Sequence, residues 1–222
     1  MEQTIFGLPG EVFWLWFSAF FYIIAILFFL GPFRRERSSE LMVAFFAFLA
    51  GMASFHILLG AGYYFNSLLL IHLGSFCALT GAAYTLKFPL TALRPNLRGP
   101  LFYSALIGGW LIIAWMLIFP HSTEVMLWLV FGYMILFSGG IAGLYIIWQG
   151  LKTKENWVRV KSIGGGVGIV TCCLAADLLV LIRGMSVLGE LFMAIAPIIL
   201  ILSIYFGRYL KSRTPQAELS AR

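Results

Sequence analysis

Charge is what this 222-residue sequence has least of: 11% of its residues are Asp, Glu, Lys or Arg, against 61% hydrophobic ones and a mean hydropathy of +0.95. A soluble domain carries about 25% charged and about 45–50% apolar residues, so a water-soluble globular fold is excluded. Cysteine is nearly as scarce, because Cys77, Cys172 and Cys173 are the only three and all lie inside apolar stretches. An odd number with none in a loop implies no disulfide framework. Lysine is missing between Val187 and Arg208, which leaves the last apolar stretch without a Schiff-base partner for retinal. Neither Gly-x-Ser-x-Gly nor His-x-x-x-His occurs, which removes the nucleophile elbow and the paired-histidine pattern of membrane zinc hydrolases. No positive segment precedes the first apolar run, which follows Glu2 and Glu11, so that run is expected to stay as a spanning helix instead of a cleaved signal.

What is present is length of apolar sequence. A hydrocarbon core about 30 Å thick requires roughly 20 apolar residues of helix. Seven stretches qualify: 11–32, 41–63, 67–88, 101–119, 124–149, 162–182 and 187–208. The expected fold is an all-α polytopic membrane protein with a single seven-helix domain over 1–210 and a short polar tail over 211–222. The tail is too short to fold, so an output domain is expected on a separate chain. The segments Phe88–Pro100 and Lys152–Lys161 read as the two long loops.

The net charge of +6 does not point to nucleic acid, because its carriers are sorted across the bilayer. Arg34, Arg35 and Arg37, then Lys87, Arg94 and Arg98, then Lys152, Lys154, Arg159 and Lys161, and finally Arg208, Lys211, Arg213 and Arg222 fall on one side. That is 14 of 15 basic residues, with Arg183 the exception. By the positive-inside rule this side is cytoplasmic, the N-terminus is outside and the C-terminus inside, in the plasma membrane of a bacterial or archaeal cell. Trp14, Trp16, Tyr63, Tyr64, Trp128, Trp148, Trp157, Tyr205 and Tyr209 stand near the headgroup levels and read as interface anchors.

Glycine marks where helices pack closely, since small residues let backbones approach in lipid. Gly139 and Gly143 lie one turn apart in the fifth span, and Gly164 and Gly168 in the sixth. The run Gly164-Gly165-Gly166-Val167-Gly168 lacks the strand and the Lys-Ser/Thr that a phosphate loop needs, so it reads as a packing seam or hinge. Pro197 removes one backbone hydrogen bond from the seventh span and is expected to kink it.

Ionisable groups within spans are functional candidates. At about 1.5 Å per residue, His56, His72 and Asp177 each lie about 9–10 Å below the outer end of their helices, and Glu190 lies slightly shallower. Arg183 and His121 stand at the rim above them. An outward-facing polar pocket around His56, His72, Asp177, Glu190 and Arg183 is therefore expected. Histidines of adjacent helices at matched depth also fit axial ligation of a b-type haem, or two ligands to copper or zinc, with Gly60 and Gly74 giving room for a macrocycle. Asp177 beside a histidine leaves proton-coupled transport open, although seven spans disfavour a simple duplicated transporter.

From about Leu144 to Leu210 the chain has a basic turn, LKTKENWVRVK, then a glycine-rich helix closing on Ala-Asp177-Leu-Leu, and a last helix with Pro197 ending in GRYLK. This stretch resembles the seven-span N-terminal sensor region of some bacterial and archaeal histidine kinases. The resemblance implies a membrane sensing module. Such regions continue into a kinase domain, which this sequence does not contain, so a partner chain in the membrane or at the cytoplasmic face is expected to receive the signal. The leading expectation is a non-enzymatic sensor-like or scaffold subunit that passes a small-ligand, ion or proton signal to a partner. A haem-binding electron-transfer protein and a small proton-coupled transporter are the alternatives.

Overall fold

The computed structural model describes residues 4–35, 39–119, 122–181 and 186–213. Residues 4–9 form a two-residue-stranded hairpin, β1 (Thr4–Ile5) and β2 (Leu8–Pro9), closed by Phe6 and Gly7 at φ +52° and +80°. Two successive positive-φ residues match the strand twist of a tight hairpin, and Gly7 takes the second without cost. The helices follow: α1 (Gly10–Arg35), α2 (Glu40–Tyr64), α3 (Leu68–Thr85), α4 (Lys87–Leu90), α5 (Pro95–Ile118), α6 (Thr123–Met134), a π-helical segment (Ile135–Gly143), α7 (Leu144–Lys152), α8 (Asn156–Leu181) and α9 (Ser186–Arg213). Seven of the resulting helical stretches are long and apolar enough to cross a membrane, the fifth being continuous from α6 through α7.

The two expected long loops are largely helical. Helix α5 begins at Pro95, six residues before its apolar run, because a proline suits a helix's first turn and Arg94 holds the extended conformation of a cap. Arginines then close the short turns that remain. Arg98 donates to the carbonyls of Leu93 and Thr91 at 2.9 and 2.8 Å, and Arg159 donates twice to that of Thr153 at 3.2 and 2.9 Å. Carbonyls left over at a helix end are thereby satisfied by cations, the sign its dipole favours.

At the opposite end the α2–α3 turn is short because Asn66 adopts the left-handed conformation at φ +50°. Ser67 N–H then donates to Gly62 and Asn66 N–H to Tyr63, at 2.8 and 3.3 Å. This is the Schellman arrangement, which consumes the last carbonyls of α2 and reverses the chain in three residues.

The helices close a ring. Helix α8 packs on α9, α9 on α1, α1 on α2, α2 on α3, and α3 on α6 and the π segment, which returns to α8. Helix α5 lies outside it, against the flank of α3. Glycine sets the close approaches, since a Cβ at Gly51 would stand 2.6 Å from the carbonyl oxygen of Cys77, and one at Gly62 would stand 3.1 Å from the amide nitrogen of Ile71. These two contacts make α2 and α3 antiparallel. The main core runs through the ring and includes Tyr22, Phe29, Phe48, Phe55, Met126 and Leu200. A second, smaller cluster joins Ala83, Leu86, Phe102 and Leu106 beneath α5. Helix α9 runs unbroken through Pro197.

Candidate functional site

His56 is 1% exposed and His72 8%. Each Nδ1 lies 2.7 Å from the carbonyl oxygen four residues earlier, that of Met52 and of Leu68 respectively. A carbonyl only accepts, so Nδ1 is the donor in both rings and the neutral imidazole presents Nε2 as a lone pair away from its own helix. For His56, Nε2 is buried with no hydrogen-bond partner among the described residues. A buried nitrogen left so costs about 1–3 kcal/mol.

The two histidines do not share a depth. His56 lies eight residues before the end of α2 and His72 four residues after the start of α3, about 12 and 6 Å from that end. They are offset by about one helical turn because α2 extends to Tyr64 and α3 starts only at Leu68. Nor do Gly60 and Gly74 leave room for a macrocycle. A Cβ at Gly60 would stand 2.6 Å from Trp16 Nε1, and one at Gly74 would stand 3.2 Å from the Phe55 carbonyl oxygen. Both spaces are spent on packing, the first on an indole and the second on the backbone of α2. A haem ligated between these two helices does not fit this arrangement.

Instead His56 faces α1. Its ring stacks on that of Tyr22, with centroids 5.3 Å apart and planes inclined by 23°, and meets the edge of Phe55 at 5.2 Å. Tyr22 is fully buried, and its hydroxyl donates to Cys172 Sγ at 3.0 Å. Cys172 in turn points its thiol at Met193 Sδ, 3.8 Å away. Four helices, α2, α1, α8 and α9, are thus joined by one chain of polarisable groups through the middle of the bundle. Neighbouring Cys173 reaches the carbonyl of Met134 at 3.5 Å, and its Cβ lies where a side chain on Gly139 would be, at 2.8 Å.

A second buried polar group sits against the π segment. Thr85 Oγ1 lies 2.6 Å from the Ala82 carbonyl and 3.1 Å from Ser138 Oγ, tying α3 to the π segment. A nine-residue π-helix is unusual, since such turns occur mostly singly and often at functional sites. Gly139 and Gly143 keep the widened turn free of side chains where it meets α8. The Gly143 position abuts Val170, and that of Gly168 abuts Leu200 of α9, each at 2.7–2.8 Å. Gly164 packs against Ser203. The fifth span therefore closes on one face of α8 and the seventh on another.

Of the other expected pocket residues, Asp177 falls on α8 and Glu190 on α9. Their side chains, together with Arg183 and His121, lie outside the described residues. Among the described residues no group of three or more His, Cys, Asp or Glu is placed to hold a metal ion.

A feature the sequence did not suggest lies at the basic end. A cavity of about 900 Å³ opens there between α1, α2, α8 and α9, with Phe88 of α4 and Ile146 of α7 also in its lining, Lys161, Arg208 and Lys211 in its wall, and Phe29, Phe45 and Ile169 among its apolar residues. Its signal in the sequence was Gly165, indistinguishable by composition from its neighbours Gly164 and Gly166. Comparison with protein-family models, curated proteins and solved structures finds no match to the chain.

Proposed function

We propose that this chain is a non-enzymatic, multi-pass plasma-membrane sensing module, oriented with its basic end in the cytoplasm, that transmits the state of its core to a partner protein. The observation that carries this reading is the chain from His56 through Tyr22 and Cys172 to Met193. It begins at a sealed imidazole nitrogen with no described partner and ends on α9, the helix that carries Arg208, Lys211 and Arg213 to the basic end.

The mechanism follows from what each link tolerates. A small ligand, ion or proton taken up at Nε2 places new polarity against the Tyr22 and Phe55 rings, and this favours an arrangement in which the His56–Tyr22 stack opens. Tyr22 then withdraws its hydroxyl from Cys172, and α8 and α9 lose a shared contact with α1. The signal shifts the population only by the ligand's preference for one arrangement over the other. The π segment supplies compliance, because its wide turns meet α8 at Gly139 and Gly143. A static scaffold subunit is the competing reading, and it predicts no such shift.

The test is a pair of spin labels at Lys154 and Arg213, both exposed, in nanodiscs and in a Cys77→Ala background. Tyr22→Phe keeps the ring and removes only the hydroxyl. Sensing predicts that this variant, still folded at the temperature of measurement, changes the label-to-label distance distribution at the basic end. A distribution superimposable on that of the parent would leave a scaffold and end the sensing reading.

A further inference from the structure

From the cavity at the basic end we infer a binding site for an anionic phospholipid, its phosphate held by Arg208, Lys211 and Lys161 and its chains entering the bundle between α1, α8 and α9. This stands whether or not those helices move.

Charge comes first. Three cations line the cavity, and no carboxylate is among its described lining residues. The Nζ atoms of Lys161 and Lys211 both lie over the Trp157 ring, 4.9 and 4.8 Å from its centroid, so two like charges are gathered at one place. The aliphatic stem of Lys161 crosses α9 at Gly207, where a Cβ would stand 3.0 Å from Lys161 Cε. Gly207 thus decides where that ammonium emerges. With Arg208 on the same wall, a cleft lined by cations favours an anion. Ser39 adds a hydroxyl, because it precedes α2 without capping any of that helix's N–H groups and lines the same cavity.

Shape selects the kind of anion. Ile169 lies eight residues along α8 from Lys161, about 12 Å towards the middle of the span, and with Phe29, Phe45 and Ile204 it makes the inner wall apolar. A free phosphate would occupy the mouth and leave that wall wet. A phosphate carrying alkyl chains matches both parts, and basic pockets between spanning helices are known to suit such headgroups. The volume falls in the range of formed ligand sites.

Gly165 shows that the space is built into the helix. A Cβ at Gly164, Gly166 or Gly168 would collide with α9 or the fifth span, whereas one at Gly165 meets nothing within 4 Å. Gly165 lines the cavity, and so offers a place to fill it without touching a helix contact.

The experiment is native mass spectrometry of the detergent-purified chain titrated with dioleoylphosphatidylglycerol, dioleoylphosphatidylcholine or inorganic phosphate. One tightly retained phosphatidylglycerol per chain is expected, with phosphatidylcholine and inorganic phosphate held far more weakly. Arg208→Gln with Lys211→Gln should weaken retention about thirtyfold, roughly fivefold for each cation at a membrane surface. Gly165→Phe should abolish it with the melting temperature of the lipid-free protein unchanged. If Gly165→Phe fails to fold, the charge variant at two exposed positions gives the decisive reading. Inorganic phosphate bound as tightly as phosphatidylglycerol would overturn the lipid in favour of a soluble anion. Phosphatidylglycerol retained equally by parent and charge variant would assign it to the bilayer-facing surface instead.

Discussion

Two regions of this bundle hold polar groups inside an apolar protein, and they do so in opposite ways. Around Tyr22 and Cys172 the groups answer one another: hydroxyl to thiol, thiol to thioether, imidazole to phenol face. At the basic end three cations surround a space and no described carboxylate lines it. A polar group in a membrane protein that finds its partner in the chain acts as glue between helices. Cations that line a cavity with no described carboxylate in its wall suit the anion proposed above. His56 belongs in part to both classes, since its Nδ1 is satisfied within its helix while its Nε2 has no hydrogen-bond partner among the described residues.

Substitutions can separate the two classes. The largest effect is expected where helices touch: Gly166→Leu would drive a side chain into the Gly143 carbonyl, 2.7 Å from a Cβ at that position. It should cost about 3 kcal/mol, the upper end of ordinary overpacking, read as a collapsed melting curve in detergent. Tyr22→Phe comes next, at about 1 kcal/mol for the lost hydrogen bond. An unchanged melting point there would remove the claim that Tyr22 holds α1 to α8.

Ser138→Ala deprives Thr85 of one partner and should cost about 0.6 kcal/mol, the average for such bonds between spanning helices. Helical content should be retained, and a loss of more than about 2 kcal/mol would show that the π segment depends on this hydroxyl. The most informative small effect is at His56. Replacement by Leu removes an unpaired buried nitrogen, and the Met52 carbonyl keeps its helical bond. Stability should therefore be unchanged or raised by up to about 1 kcal/mol. A marked loss would place His56 with the glue after all. Gly165→Ala should be neutral or gain about 0.5 kcal/mol, as for any open helical glycine, in contrast to Gly166→Ala one residue away.

Much of the fold was legible because hydropathy is a local property. All seven stretches lie where long apolar runs stand, and their ends differ where helix continues into polar sequence, back to Pro95 and Asn156 and on to Arg213. Hydropathy does not mark those ends; at Pro95 the proline of the first turn does. The histidines were legible as candidates because ionisable groups are rare in spans. Their relative depth was not, because it depends on where Asn66 turns the chain.

Tyr22 could not have been singled out within an aromatic run that reads equally well as lipid-facing, and its partner Cys172 lies 150 residues away. Cys172 and Cys173, which an odd count with none in a loop excludes from a disulfide framework, take part in the core, the first as acceptor from Tyr22 and both as thiol donors.

What the sequence determined by itself is a local property of each segment: apolar length makes seven helices long and apolar enough to cross a membrane, and the scarcity of charge leaves the basic residues to the ends. Only the tertiary structure decided which polar groups meet and which are left facing space. Three adjacent glycines carry the same composition, yet a helix turns about 100° per residue. Gly164 therefore meets Ser203, Gly166 meets the fifth span, and Gly165 between them opens on the cavity.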